Sequence, residues 1–450
     1  MHEIDLTAEV VAPGDDGYDD AAAVFFATGT PALVVRPRDP DQVAEALAHA
    51  VRHDLAVSVR SGGHSTVGHG TNDGGIVIDL THLAAVEVLD ADRRIVRVGG
   101  GATWGKVAAA LDAHGWGLTS GDTTSVGVGG LTLGGGIGWM VRRHGLAIDS
   151  LVGARVVTAD GRLVTASEDD NPDLFWALRG GGGNFGVVVD FDFVAQEVGS
   201  VHYGTVMYRL DDAAGLIRGW RDVMRTAPDA LSSSLVLAPR FGEAPPMAML
   251  LLCYSADRGA DVNAADAAIE PLLELGEVTS ADITERRYAE VLEDPLRPPG
   301  IRVVSRNTLV RALDDDVIAA VAAAHVGGPP RALSLRSLGG AFARVPAEAT
   351  AFAHRDAEAM IVCATFVPEA TTAEQVEHTL TSWHAVAELG AGTYTNFQGS
   401  ATAEDVAAAY PPATYARLAA VKRTYDPGNL FALNHNIAPE TVGEAEGPAA

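Results

Sequence analysis

Cysteine is nearly absent from this chain. Cys253 and Cys363 are the only two in 450 residues, and each sits in an apolar run. So few cysteines argue against a cysteine-based metal centre and suit buried thiols in a reducing compartment. Long hydrophobic runs are missing too: none approaches the ~18 residues that span a bilayer. The opening stretch Met1-His-Glu-Ile-Asp-Leu-Thr-Ala-Glu9 has no basic start and no apolar core, so no export signal is read and a cytoplasmic location is expected. Positive charge is scarce. Thirty-two Lys and Arg face 59 Asp and Glu, a formal net charge of −27. A protein that tracks nucleic-acid phosphates or an anionic membrane needs a basic surface, so neither partner is expected. A bound anion must be held by backbone dipoles and local arginines. His69, His114, His144 and His435 do not stand at metal-ligand spacing with a second His or Cys, so no metal is expected. The first three read as solvent or packing residues, and His435 stays a minor pocket candidate.

Glycine is what the chain has in quantity, and it is clustered. Val57-Ser-Val-Arg60 alternates like a short half-buried strand and runs into Ser61-Gly62-Gly63-His64-Ser65. Glycines there permit positive φ and close approach of a ligand, and exposed N–H groups in such a turn make an anion nest. The second cluster covers 118–138. It contains Gly121, Asp122, Thr123, Val126, Gly127, Gly129, Gly130, Leu131, Gly134, Gly135, Gly136 and Gly138. That density is too high for an ordinary helix or strand. Its apolar Val126, Val128, Leu131, Leu133 and Ile137 suit a packed channel beside a flat ligand better than a solvated linker. In the third cluster, Gly181-x-Gly183-x-x-Gly186 matches a dinucleotide fingerprint as a string. The order here is helix, glycines, strand, whereas a Rossmann site needs strand, glycines, helix.

Arg60-Ser-Gly-Gly-His64-Ser65 resembles the flavin-attachment motif of the vanillyl-alcohol-oxidase type FAD-linked oxidases, in the berberine-bridge-enzyme-like branch. Val126-Gly-Val-Gly-Gly-Leu-Thr-Leu-Gly-Gly-Gly-Ile-Gly138 resembles that family's second flavin segment. Trp176-Ala-Leu-Arg-Gly-Gly-Gly-Gly-Asn-Phe-Gly186-Val187-Val188 resembles a third. The tail from Tyr394-Thr-Asn396-Phe397 through Asn434-His-Asn436 resembles the returning C-terminal segment. The resemblance implies FAD, joined covalently to His64. It implies contacts from Arg60, Ser61, Gly62, Gly63 and Ser65, from Gly121, Thr123 and the glycines of the second cluster, and from backbone near Gly186, Val187 and Val188 at the adenine end. Asn434 and Asn436 are implied near the isoalloxazine. Many members have a cysteine, bonded to the flavin, where Thr123 stands, so a single link through His64 is expected here. Leu131 replaces a histidine found in several members. The closest likeness is to single-histidine bacterial members.

The implied fold is α+β: a two-domain PCMH-type FAD-binding fold with an antiparallel-sheet substrate domain flanked by helices. The expected division is 1–199 for the first part of the FAD domain, 200–395 for the substrate domain, and 396–450 for a tail returning to the FAD domain. In the middle, strands are expected over 203–209, 231–239, 247–254, 332–338 and 359–366. Helices are expected near 211–225, 262–275, 282–292, 314–325 and 372–388. Asp294–Gly300, with Pro295, Pro298 and Pro299, reads as a loop, either over the site or a plain surface connection.

The implied reaction is hydride transfer from a C–H next to an alcohol or amine of a small molecule to the flavin, with O2 regenerating it. A monooxygenase of the same fold, a dehydrogenase with another acceptor, and a flavin-binding protein without turnover stay open. Tyr394 is the first candidate to take the substrate proton, or else only to orient the substrate. Arg336 either faces the pocket or makes a structural salt bridge. Some members place a glutamate on the strand corresponding to Met360–Phe366, where this chain has no acid. Substrate identity is open, and the protein is expected to be a monomer or homodimer.

Overall fold

The computed structural model describes residues 6–239, 245–256, 262–294, 300–327 and 329–440. Pro295, Pro298 and Pro299 of the expected loop lie outside these residues.

Among the described residues three large sheets carry the fold, beside a two-stranded one that pairs Trp116–Gly117 with Gln196–Glu197. The first has four strands. Val57–Arg60 lies at its edge and runs parallel to Ile76–Asp79, which is parallel to Leu33–Arg36, which pairs with Glu9–Val11. The helix Pro40–Arg52 covers it, with Val43, Ala46, Leu47 and Ala50 buried against the sheet. Asp39 starts that helix by accepting a bond from the Gln42 N–H, and Pro40 occupies the first turn, where no donor is needed. Val57, Ser58 and Arg60 are all buried, so the expected half-exposed alternation fails. The strand ends under packed chain, and Arg60 is neutralised inside by Asp79 at 2.8 Å.

The second sheet is antiparallel and five-stranded, built from Val86–Asp90, Ile95–Gly99, Val187–Val194, Leu151–Val157 and Leu163–Ser167 in that spatial order. The last hairpin does not close on a two-residue Asp160-Gly161 turn. Thr158 N–H bonds Arg162 O, leaving a three-residue loop with Gly161 at φ 80°. The second glycine cluster also departs from expectation, because Val128–Gly134 is helical. Neighbouring chain lies where the side chains of two of its glycines would be: a Cβ would come within 3.0 Å of Gly100 O at Gly129 and within 2.2 Å of Asn396 Oδ1 at Gly134.

The third sheet has seven antiparallel strands. Helices Ala213–Thr226, Asp315–Val326 and Thr381–Ala387 cover one face and bury Leu333, Leu335, Ile361 and Cys363. Its other face meets the glycine-rich half through two clusters. Ile137, Val141 and Ile148 pack on Leu309, Met360 and Tyr394, while Trp139 and Met140 pack on Tyr203, Cys253 and Tyr288. The helix expected at 282–292 is absent: Val278–Arg287 is an edge strand followed by a short turn Tyr288–Glu290. Almost every side chain of that strand is exposed, which erases the alternation by which a strand is read. The strand Ile301–Val310 at the opposite edge was not anticipated either. The expected helix over 372–388 breaks at Leu380 into Ala373–Thr379 and Thr381–Ala387. Both cysteines are buried free thiols. Among the described residues no helix is long and apolar enough to cross a membrane.

Candidate active site

The glycine clusters, far apart in sequence, meet. A Cβ on Gly62 would lie 2.2 Å from the Gly127 backbone nitrogen, and one on Gly127 would lie 2.1 Å from Gly62 N. Two backbone segments therefore touch with no room for a side chain. Ser61 Oγ bridges the same pair of loops, donating to Gly100 O at 2.6 Å and accepting from Gly129 N–H at 3.2 Å. The third cluster joins at the end of the glycine helix, where Gly180 and Gly182 N–H both reach Leu133 O. Asn184 ties in the tail: its Nδ2 donates to His435 O, and its Oδ1 accepts from Ile437 N–H. Lys422, wholly buried, donates to Asn184 O at 2.8 Å, to Phe431 O at 3.0 Å and to Asp426 at 2.8 Å. Burial pushes that ammonium below its ordinary pKa and Asp426 opposes the shift.

Between these segments lies a cleft of about 390 Å³, a volume suited to a bound organic ligand. His64 lines it, half-buried, with Phe25 stacked on its ring at 4.5 Å. Burial pushes the imidazole below its ordinary pKa, against the nearby Asp294 charge.

Among the described residues one carboxylate lines the cleft, that of Asp122. It meets Arg336 Nη2 at 2.5 Å. The guanidinium stands 5.8 Å from both the Trp139 and Phe397 ring centres. Burial would raise the Asp122 carboxyl, but Arg336 outweighs it and holds the group below the ordinary carboxylate value. The two readings of Arg336 therefore merge: it makes a salt bridge, and its partner is on the cleft wall. Tyr394 is buried, and its hydroxyl accepts from Gly136 N–H (3.0 Å), Ile137 N–H (3.4 Å) and Asn396 Nδ2 (2.7 Å). Burial raises its pKa even against those three donors, so the phenol is a positioned neutral group, ill-suited to accept a proton.

The remaining expected residues divide. Gly63, Ser65, Gly121, Thr123, Val126, Gly130, Gly134, Gly186, Val188 and Asn434 line the cleft. Arg60 lines it too, and its guanidinium donates to Asp79 and to the Ala21 and Ala23 carbonyls. Gly135, Gly136 and Gly138 pack against Phe352, Ala147 and Ser120 instead. Val187 packs into the core of the first sheet. Asn436 stands off the lining, and its Oδ1 is buried with no partner among the described residues. His69 corrects its assignment as a solvent or packing residue. It lines the cleft edge-on to His435, ring centres 5.5 Å apart, and burial lowers its pKa to about 4. Asp122, Asn184 and Ser125 were missed. For Asp122 the signal was present, an acid placed inside an otherwise apolar, glycine-rich run.

Comparison with known proteins follows this geometry. Residues 31–167 match the FAD binding domain model, and 393–438 match the berberine and berberine-like model. The (R)-6-hydroxynicotine oxidase of Paenarthrobacter nicotinovorans is 32% identical over 97% of this chain and 98% of that protein. This chain belongs to the berberine-bridge-like FAD-linked oxidases. The crystal structure of 6-hydroxy-D-nicotine oxidase from Arthrobacter nicotinovorans superposes with a TM-score of 0.87 at 30% identity, over 98% of this chain and 99% of that one. The xylooligosaccharide oxidase of Myceliophthora thermophila, with xylobiose, gives 0.83 at 28% identity over 97% and 98%. The α+β fold with its large antiparallel sheet is thus that of an FAD-linked oxidase. The residues of this oxidase fit FAD. Asn434 Oδ1 is buried with no partner among the described residues and suits a donor such as a ring N–H. A Cβ on Gly130 or Gly183, both on the cleft wall, would meet no protein atom within 4 Å and would occupy ligand space.

Proposed function

We propose that this oxidase removes a hydride from a C–H next to a hydroxyl or amine on a small, largely apolar molecule, using FAD joined once to the protein, through His64. FAD held in the cleft would supply the hydride acceptor and the route by which two electrons, with two protons, reach O2 as H2O2. The protein's part is to hold the ring, exclude water and manage one proton.

The observation that carries this reading is the Asp122–Arg336 pair, which stands where the cleft meets the face of the seven-stranded sheet opposite its helices. Along that face Arg336 alternates with the buried Leu335 and Ser337. Its neighbours in register are Ala332 opposite Ala364, Ser334 opposite Val362, and Met360. Met249 and Leu251 continue the face on the next strands, half-buried. Apolar side chains with one ion pair and the Ser234–Ser334 hydroxyl pair suit an aromatic or alkyl body with one polar group. They suit a sugar chain poorly. In this respect the oxidase resembles one named for hydroxynicotine more than one named for xylooligosaccharides. Asp122 accepts from the substrate O–H or N–H, and Arg336 keeps it ionised for that purpose. Thr123, in place of cysteine, leaves His64 as the one attachment point. The substrate domain of this reading covers 200–395, and 1–199 with 396–450 forms the flavin domain.

An anaerobic screen tests it: neutral aromatic amines and alcohols should bleach the flavin absorbance and oligosaccharides should not. Turnover under labelled O2 should leave the label in H2O2. Label in the product would make the enzyme a monooxygenase instead.

A further inference from the structure

His64 is held from behind. Its Nε2 lies 2.8 Å from Ser125 Oγ. Ser125 Oγ–H donates to Asp294 Oδ1 at 2.6 Å, and Ser125 N–H donates to the same oxygen at 2.9 Å. An ionised carboxylate only accepts hydrogen bonds. The Ser125 bonds hold the Asp294 carboxyl below its ordinary range, so it is ionised at neutral pH. The serine proton is therefore committed to Asp294, and the serine oxygen accepts from the imidazole. That places the ring proton on Nε2 and leaves Nδ1 with a lone pair and no partner among the described residues. Phe25, stacked within 21° of parallel, fixes the ring plane. The three members come from distant parts of the chain: the glycine turn after Val57–Arg60, the loop before the glycine helix, and the stretch after Tyr288–Glu290.

We propose that Ser125 and Asp294 are positioning residues for the attachment of FAD to His64, holding the tautomer whose Nδ1 forms the bond and receiving the Nε2 proton as it forms. This rests on the His64 link proposed above. The step balances as follows. A bond forms between Nδ1 and the methyl carbon at ring position 8. One methyl C–H and the Nε2–H are lost. The two electrons reduce the flavin and pass to O2, which takes up two protons as H2O2. The Nε2 proton leaves through Ser125 to Asp294, whose exposed carboxylate hands it to solvent.

The test uses the full chain produced in riboflavin-starved cells and then mixed with saturating FAD. Bound FAD is measured by loss of free-flavin fluorescence, and attached FAD by fluorescence that survives denaturation. Rates are expressed per bound FAD, so weaker binding does not mask the result. Ser125→Ala and Asp294→Asn should each slow attachment at least tenfold. The double variant should be no slower than the slower single one, because the two residues act in series. Asp294→Glu should recover part of the rate. Attachment at the wild-type rate in both single variants, or a double variant whose losses multiply, overturns the proposal. Failure of the underlying reading looks different: wild-type protein then releases all its flavin on denaturation, or His64→Ala retains it.

Discussion

Asp122 and Arg336 meet at 2.5 Å across the seam between the glycine-rich half of the oxidase and its seven-stranded sheet. Neither chain segment alone makes a charged site. The carboxylate would be raised by its burial, and the guanidinium reverses that. A group whose folded pKa is depressed stays ionised down to that value and is lost as pH falls through it.

Arg336→Met removes the reversal. The acid limb of flavin reduction should move to higher pH, because burial is then opposed at Asp122 only by weaker hydrogen bonds such as that from the Thr123 hydroxyl. The rate at pH 7 should fall on the order of tenfold or more. Stopped-flow reduction across pH 4–9 reads both. An unmoved acid limb would remove Asp122 from proton transfer.

Tyr394→Phe deletes the oxygen that satisfies Gly136 N–H, Ile137 N–H and Asn396 Nδ2. Buried donors left unpaired cost about 1–3 kcal/mol each, with partial relaxation between them. We expect a loss of about 2–4 kcal/mol in urea unfolding and slower turnover, with the pH profile in place. A shifted pH profile would return Tyr394 to the role of proton acceptor.

Gly62→Ala places a methyl 2.2 Å from backbone nitrogen of Gly127. The loops cannot both keep their positions, so flavin content should collapse. Gly130→Ala meets nothing within 4 Å on the protein side and sits in a helix, where alanine is preferred. Its thermal midpoint should hold while flavin occupancy falls. An equal fall of the thermal midpoint in the two variants would contradict the packing described for the clusters.

His69 is neutral in the fold, its pKa lowered to about 4 by burial and, secondarily, by His435. The unfolded chain takes up a proton near pH 6.5 and the fold does not, so stability rises with pH in that window and is lost on acidification from 6.5 toward 4. The loss is on the order of 2 kcal/mol after solvent screening. His69→Gln should flatten the fall of the thermal midpoint between pH 6.5 and 4.5. An equally steep fall would place the effect elsewhere.

The three glycine clusters were legible because a missing side chain leaves a mark in sequence. Gly62 and Gly127 are required by a backbone contact, and no other residue satisfies it. The order helix, glycines, strand at Pro172–Val194 was likewise readable, since capping proline and strand alternation are local signals. Pairings across the fold were not. Nothing local in Arg336 shows that its partner lies 214 positions earlier, and Ser125 and Asp294 carry no motif. The Arg60–Asp79 ion pair was equally invisible, since its partners stand 19 positions apart with no local signal joining them. The edge strand Val278–Arg287 was missed because Ile283 is its one apolar side chain packed against the core, so no period survives in its sequence.

The central claim is that His64 carries the cofactor. Purified oxidase is denatured in acid, washed free of small molecules and run on a denaturing gel. The account predicts a yellow pellet and a fluorescent band for the wild-type protein, with neither for His64→Ala. Flavin that leaves the denatured wild-type protein with the supernatant would contradict it.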